Sequence, residues 1–380
     1  MNILCIIGTR PEAIKMAPLI NLLKNDSRFE CFVCSTSQHK TMLESALSFF
    51  EIKPDFDLAI MKPDQNYFDV SVNILTKVEP VITKINPEII LVQGDTTTAF
   101  IAALAAFYLK IRIGHIEAGL RTNRKDEPYP EEINRQLISR LADFHFAPTQ
   151  EARQNLIAEN IPSRNIFVTG NTVIDALQIA LNTIPRDENE WTTERFPEIS
   201  EMLWLFLKDK TKKLILVTAH RRENITSGIK NIASAIQQLT KRDDVFVVLP
   251  VHPNPEVKNL IHNELKGIEN IFLLEPLSYP TFIFLIEKCY FILTDSGGIQ
   301  EEASALGKPL LVTRNTTDRR EVINSGTAKL VGTNIQSILY SAVHLLDDGA
   351  VYQKMTIPTT IYGDGNASQK IIGILADQIT

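Results

Sequence analysis

Cysteine is scarce in this chain, with four among 380 residues. That is too few for a disulfide framework, so a reducing compartment, the cytoplasm, is expected. A basic leader and a small-residue cleavage pattern are both missing: Met1 runs straight into Ile3-Leu4-Cys5-Ile6-Ile7, and no signal peptide is expected. No apolar run is long and unbroken enough to cross a bilayer, which excludes membrane insertion. An excess of positive charge is lacking too. The formal net charge is -6, which excludes a general affinity for nucleic acid or anionic membrane. No G-x-G-x-x-G follows any strand candidate, so no nicotinamide cofactor is expected. Cys31 and Cys34 have C-x-x-C spacing, but Phe29–Cys34 reads as a strand, where positions three apart face opposite ways. No second cysteine or histidine pair completes a site, so no metal is expected. The N-x-S/T sequons at Asn224, Asn315 and Asn366 carry no weight without secretion.

What is present is ordinary globular composition, 44% hydrophobic and 22% charged, at a length that predicts two or more domains. Apolar runs of four to seven residues alternate with amphipathic segments, the βαβ pattern of parallel sheets covered by helices. The first series of strands is expected at Asn2–Ile7, Phe29–Cys34, Glu88–Val92, Arg112–Ile116, Phe144–Ala147 and Ile166–Val168. Helical patterns fill the gaps, among them Pro11–Lys24, Phe68–Ile85, Thr98–Leu109 and Glu131–Leu141. Polar residues from Pro185 to Arg195 break the rhythm. A second series follows at Lys213–Thr218, Val245–Pro250, Ile271–Leu274, Phe291–Thr294 and Pro309–Val312. The fold class is therefore α/β, with two Rossmann-like, doubly wound domains. The first is expected over 1–173, joined by a C-terminal helix in 366–380, and the second over 174–365. Doubly wound sheets bind ligands beyond the carboxyl ends of their strands, so the site is expected in a cleft between the two.

The first strand ends in Gly8-Thr9-Arg10-Pro11-Glu12. Backbone N–H groups at that helix start, with Arg10 and Lys15, suit phosphate oxygens; a plain turn with a solvated arginine is the alternative. Gln93-Gly94-Asp95-Thr96 sets an acid after a buried strand, where Asp95 is either a functional carboxylate or a helix cap. Gly114-His115-Ile116-Glu117-Ala118-Gly119 places Glu117 at the end of the next strand, flanked by residues small enough to admit a ligand. Glu131 and Arg135 share a helix face at i, i+4 spacing, which by itself is a weak surface pair. Three acids at strand ends or helix starts of one domain converge.

In the second domain, Ala219-His220-Arg221-Arg222-Glu223 follows a strand, and the cationic surroundings of His220 suit phosphates. His252, in Pro250-Val251-His252-Pro253-Asn254-Pro255, repeats the placement, with a structural role of comparable weight. Ser296, Gly297 and Gly298 form a small-residue turn at a helix N-terminus, an anion site by geometry and dipole. Glu301 or Glu302, one turn on, can accept from ribose hydroxyls. Phe282 lies just upstream, either bordering a base or in the core.

Taken together, Gly-Thr-Arg-Pro-Glu-Ala-Ile-Lys at 8–15, Gln-Gly-Asp-Thr at 93–96, His-Ile-Glu-Ala-Gly-Leu-Arg at 115–121, Pro-Glu-Glu-x-Asn-Arg at 130–135, Ala-His-Arg-Arg-Glu at 219–223 and Asp-Ser-Gly-Gly-Ile-Gln-Glu-Glu at 295–302 resemble the bacterial non-hydrolysing UDP-N-acetylglucosamine 2-epimerases. Six motifs in the family's order span nearly the whole chain. The resemblance implies a GT-B glycosyltransferase-like fold, a homodimer, and reversible conversion of UDP-GlcNAc to UDP-ManNAc for cell-surface polysaccharide synthesis. It carries over Asp95, Glu117, Glu131 and His220 as catalytic residues. Arg10, Lys15, Arg135, Ser296, Gly297 and Glu302 carry over as ligand contacts. Hydrolysing relatives open instead with a motif ending in Arg-Ala-Glu-Tyr-Gly, which Gly8–Lys15 does not match.

Two departures stand out. Arg320 replaces the family's proline in Thr317-Asp318-Arg319-Arg320-Glu321, which bears on the geometry of that loop. At the positions used for activation by a second UDP-GlcNAc in some members, Gln38 and Gln65 fit, but Thr41 departs from the pattern and Asp64 stands where an arginine is expected. An acid cannot replace a phosphate-binding cation, so weakened activation is expected. The rival functions are a GT-B-type UDP-sugar glycosyltransferase, which needs an acceptor, and a catalytically silent nucleotide-sugar sensor.

Overall fold

The computed structural model describes residues 1–37, 40–61, 65–219 and 227–378. Two compact units make up the chain: Met1–Gln178 with Ile361–Thr380, and Ile179–Thr360.

Unit 1 carries a seven-stranded parallel sheet of β1 (Asn2–Ile7), β2 (Glu30–Ser35), β3 (Phe56–Asp57), β4 (Ile89–Gln93), β5 (Arg112–Ile116), β6 (Phe144–Ala147) and β7 (Ile166–Val168). Its order is β3-β2-β1-β4-β5-β6-β7. The intervening helices are α1 (Arg10–Lys24), α2 (Lys40–Phe49), α3 (Tyr67–Ile85), α4 (Thr97–Tyr108), α5 (Glu131–Leu141), α6 (Gln150–Ala158) and α7 (Thr172–Thr183). Unit 2 carries β8 (Lys213–Thr218), β9 (Val245–Pro250), β10 (Ile271–Leu274), β11 (Phe291–Thr294), β12 (Leu310–Val312) and β13 (Ala328–Leu330), in the order β10-β9-β8-β11-β12-β13. Around that sheet run α8 (Glu201–Lys208), α9 (Ser227–Leu239), α10 (Pro255–Leu265), α11 (Tyr279–Lys288), α12 (Gly297–Ala305), α13 (Arg320–Asn324), α14 (Ile335–Asp347) and α15 (Gly349–Met355). The last helix, α16 (Ala367–Ala376), packs on α1 in unit 1.

The central strands are apolar throughout because both faces are covered. Leu4 and Ile6 join Ile74, Ile90, Val92 and Ile113 in one core of unit 1. In unit 2, Ile215 and Val217 join Ile232, Val247, Leu249 and Leu293. Each fully buried side chain of this kind contributes roughly 1.5–3 kcal/mol of transfer free energy. Cys34 lies in the core with Leu4 and Ile6, whereas Cys31 Sγ lies 3.9 Å from Cys5 Sγ on the opposite face of the sheet. The two cysteines of the C-x-x-C spacing thus point apart, as strand geometry requires, and all four thiols are free.

Two strands escape the apolar-run pattern: β3 and β13 hold two and three residues at sheet edges, too short to leave a periodic signal. The C-terminal helix is fixed by a carboxylate: Asp175 accepts from the N–H groups of Ala367 (3.2 Å) and Ser368 (2.8 Å), supplying an N-cap that Asn366 does not. Among the described residues, no helix is long and apolar enough to cross a membrane.

In both sheets the strand order reverses beside the first strand, between β1 and β4 and between β8 and β11. At such a switch point the following loops diverge to opposite faces and leave a crevice. Three loops within the described residues matter for that reason: those after β1, β4 and β11, while residues 220–226 after β8 lie outside them.

Candidate active site

In unit 1 the loop after β1 must pass very close to its neighbours. A Cβ on Gly8 would sit 2.4 Å from Thr98 Oγ1 and 2.5 Å from Thr36 Oγ1, so only glycine fits. The chain then turns into α1, where Thr9 and Glu12 form a capping box and half-buried Arg10 is the first helical residue. After β4, Gly94 takes φ 72° and α4 begins. Thr96 is its cap, accepting from Ala99 N at 3.0 Å. Asp95 is therefore released from the capping role that the sequence alone left open.

Glu117, after β5, is a non-glycine residue at φ 65°, a left-handed conformation that costs about 1–2 kcal/mol. Its backbone is held by Arg135, whose guanidinium donates to the Glu117 carbonyl. Its carboxylate, 3% exposed, accepts from Lys15 Nζ, from Asn171 Nδ2 at 2.7 Å and from Arg135 Nη2 at 3.2 Å. Arg135 Nη2 also donates to Asp95 Oδ2. One buried guanidinium thus joins two carboxylates, of which Asp95, with a side chain 23% exposed, is the more open. By spacing alone Arg135 would be half of a surface pair with Glu131; it is 2% exposed and donates to Asp95 and Glu117. Glu131 opens α5 and is half-buried.

The Asp95 turn is fixed from several sides. Asn134 Nδ2 donates to the Asp95 carbonyl at 3.0 Å, and His115 Nε2 donates to the Gly94 carbonyl at 2.7 Å. Burial and the nearby Arg135 charge hold His115 well below the usual histidine range, so it is neutral at pH 7. Glu132, 3% exposed, accepts from Thr122 N (2.9 Å) and Asn123 N (3.1 Å), tying the loop before α5 to the same framework. Sequence reading did not single out Asn171, Glu132 or Glu12. The Thr9-x-x-Glu12 spacing announces a capping box, but the Thr96 partner of Glu12 and the partners of Asn171 and Glu132 are far along the chain or on the backbone, where no spacing rule reaches.

In unit 2, Ser296 precedes α12 with extended backbone and no side-chain cap bond. The side of Gly298 is open, with no atom within 4 Å of a built Cβ. Beneath Gly297 lies Arg319, whose Nη1 would be 3.2 Å from a Cβ there. Arg319 is buried, donating through Nε to Glu301 Oε1 at 2.9 Å and through Nη1 to Asp318. Glu301 and Glu302 therefore separate: Glu301 turns inward to Arg319, while Glu302 accepts from Tyr279 Oη at 2.8 Å. Phe282 is half-buried and outside the core. His252 Nδ1 accepts from Asn254 N at 3.2 Å, shaping the turn before α10. Arg320 is exposed at the first position of α13, a place proline and other residues share, so the departure from proline leaves a helix start intact. His220, Gln38 and Asp64 lie outside the described residues, as does the side chain of Thr41.

Comparison with known proteins decides the family. A model of the UDP-N-acetylglucosamine 2-epimerase family matches residues 21–376. The chain belongs to that family. It is 49% identical over 388 residues to the UDP-N-acetylglucosamine 2-epimerase of Yersinia pestis, with 100% of each chain covered. The crystal structure of the Neisseria meningitidis UDP-GlcNAc 2-epimerase, bound to UDP-GlcNAc, superposes with a TM-score of 0.93 at 46% identity, covering 99% of this chain and 100% of that one. That of the Methanocaldococcus jannaschii UDP-GlcNAc 2-epimerase, in complex with UDP-GlcNAc and UDP, gives 0.86 at 31% identity, covering 99% and 100%. This epimerase chain therefore matches its relatives over the full length of the family's two-sheet α/β fold.

Proposed function

We propose that this protein interconverts UDP-GlcNAc and UDP-ManNAc by eliminating UDP and adding it back, with no redox cofactor. The observation that carries the reading is the pair of carboxylates, Asp95 and Glu117, joined by the Arg135 guanidinium. The hydrogen at C2 of the sugar is not acidic, and no carbonyl sits beside it to stabilise a carbanion. Loss of UDP solves this. The C1–O bond breaks with its electron pair leaving on UDP, positive charge develops at C1, and the C2 proton becomes removable. A carboxylate takes that proton and the C1=C2 double bond of 2-acetamidoglucal forms. In the return direction a proton is delivered to the opposite face of C2 while UDP re-adds at C1.

Two faces need two proton-handling groups. Asp95, the more exposed, and Glu117 take these roles; Glu131 aligns the sugar and His220 assists UDP departure. Arg10, Lys15 and Arg135 supply positive charge around the diphosphate and sugar. The Ser296 hydroxyl and the N–H groups of Gly297 and Gly298 hold phosphate oxygen, the Ser296 N–H being donated to Thr294 Oγ1, Glu302 accepts from the ribose, and Phe282 and His252 border the nucleotide. The protein works in the cytoplasm, in keeping with its four free thiols. It works as a homodimer. The exposed Phe68 (82%), Val72 (61%), Phe107 (55%) and Tyr108 (64%) on neighbouring α3 and α4 support a face covered by a second copy.

Proton NMR of the protein with UDP-GlcNAc in deuterated water tests the reaction. The expected result is UDP-ManNAc, with deuterium at C2 of both epimers. Free ManNAc plus UDP would mean hydrolysis. An unchanged spectrum would overturn the reading in favour of an acceptor-dependent transferase or a sensor.

A further inference from the structure

Glu12 is not one of the acids assigned above, yet it is 1% exposed in the middle of the unit 1 strand-end loops. Its Oε2 accepts from Thr9 N at 2.7 Å and Gly8 N at 3.1 Å. Its Oε1 accepts from Thr96 Oγ1 at 2.8 Å, across 84 residues of sequence. The first bond belongs to an ordinary capping box, and with the second, one residue earlier, it holds the turn that delivers Arg10. The third is no part of that box. Thr96 already uses its hydroxyl oxygen to accept from Ala99 N at 3.0 Å, which leaves its proton for Glu12. Thr96 is also the residue directly after Asp95. One carboxylate therefore bonds to the residues flanking two functional side chains: Thr9 beside Arg10, and Thr96 beside Asp95.

We propose that Glu12 is a positioning residue for the epimerisation, coupling the turn that carries Arg10 to the turn that carries Asp95. The inference rests on the functional reading above. The Asp95 turn is otherwise tied to β5 through His115 and to α5 through Asn134 and Arg135. Glu12 adds the tie toward α1, so the group receiving the proton and the cation beside the departing diphosphate are held in register. Burial pushes the Glu12 carboxyl up to about 7 against the pull of its donors, so the site keeps a buried acid at a cost in desolvation. A cap for α1 alone would be served by residues that leave Thr96 untouched.

A double-mutant cycle on kcat/KM tests this, using Glu12→Gln, Thr96→Val and the double variant, with fold checked by circular dichroism and thermal melting. If Glu12 acts through Thr96, each single change lowers kcat/KM by about 10-fold or more. The double variant is then no worse than the poorer single, because both remove the Glu12–Thr96 bond, and the α4 cap that Thr96→Val also removes is read separately in the melting. Multiplying losses would mean that Glu12 merely caps α1 and would overturn the proposal. So would a Glu12→Gln variant that melts earlier but keeps its kcat/KM. Should Glu12→Gln not fold, Thr96→Val alone decides. That variant leaves Glu12 its two backbone donors, and an unchanged kcat/KM there sinks the coupling. Wild-type protein run alongside separates the two readings. Wild-type turnover with insensitive variants removes the Glu12 proposal only, whereas no wild-type epimerisation removes the functional reading and this one with it.

Discussion

At the strand ends of unit 1, charged side chains lock against one another: Lys15 and Arg135 on Glu117, and Arg135 again on Asp95. At the matching place in unit 2, after β11, the chain offers Ser296, Gly297 and Gly298 at the start of α12, and the ion pair there, Arg319 with Glu301, lies beneath the turn. The two sheets share one strand order relative to their first strand, so topology does not explain the contrast. The tasks do. Moving a proton needs an ionisable side chain held at a fixed point by neighbours that are themselves fixed. Holding a phosphate needs backbone N–H groups and room, which small residues provide and large ones obstruct.

The largest expected effect breaks the unit 1 side of this contrast. Asp95→Asn keeps the shape and the tie to Asn134 but removes the proton acceptor, so kcat falls by roughly 10²–10⁴-fold. UDP affinity, measured by calorimetry, should change by less than about 3-fold. A comparable loss in both quantities would mean that Asp95 holds the nucleotide instead.

In unit 2 the ionic element is support, and its loss should appear as instability. Arg319→Met removes the guanidinium bonded to Glu301, a side chain 0% exposed. Breaking a buried pair of this kind costs about 3–5 kcal/mol, to be read as a fall in the urea midpoint.

Acid sharpens the comparison further, because the fully buried histidines among the described residues, His115 and His145, both belong to unit 1. Burial lowers His145 from 6.5 to about 4. Between those values the unfolded chain binds the proton and the folded one does not, so stability is lost as pH falls from 6.5 toward 4, by roughly 3 kcal/mol. Glu12, raised from 4.5 to about 7, acts oppositely: the folded state holds its proton first, so stability rises as pH falls from 7 toward 4.5. The two trends oppose each other in wild-type protein. His115, likewise held below the usual histidine range, still favours loss toward acid, so His145→Gln should lessen the loss of stability toward acid over that window. A pH profile unchanged by that substitution would remove the assignment.

Tyr279→Phe probes binding in unit 2 without touching the acids of unit 1. It deletes the hydroxyl that donates to Glu302, a bond to a carboxylate worth about 1.5–3 kcal/mol. KM for UDP-GlcNAc should rise about 10-fold with kcat within 2-fold.

The same contrast explains what the sequence disclosed. Runs such as Ile3–Ile7 and Val245–Leu249 announce buried parallel strands because both faces are covered, and the turn after β11 announces itself by its glycines. Asp95, Glu117 and Arg135 were identifiable as candidates from their places at strand ends and a helix start, and from the family's motifs. Their mutual geometry was not: the i, i+4 rule pairs Arg135 with Glu131, and only tertiary structure turns it to Asp95 and Glu117. Spacing alone left Glu301 and Glu302 open and the family's motif pointed to Glu302; Arg319 and Tyr279 are what separate them physically. Asn171 reaches Glu117 across 54 residues, a contact no local pattern encodes.

The smallest effect concerns Arg320, the place where the family has proline. As the first residue of α13 it occupies a position whose N–H needs no partner within the helix, and the helical φ suits a proline ring. The strain falls on the residue before it. Arg319 sits at φ -106° and ψ 55°, whereas a residue preceding proline favours ψ of about 120–160°. Arg320→Pro would therefore gain from a stiffer unfolded chain, by about 0.4–1 kcal/mol, and lose a similar amount by turning Arg319. We expect a net change within about 1 kcal/mol, read by urea denaturation, and a KM within 2-fold of wild type. A KM rise well beyond that, with stability unchanged, would show that the Arg319 support under Gly297 is set by the backbone of this loop more than by the buried Glu301 pair.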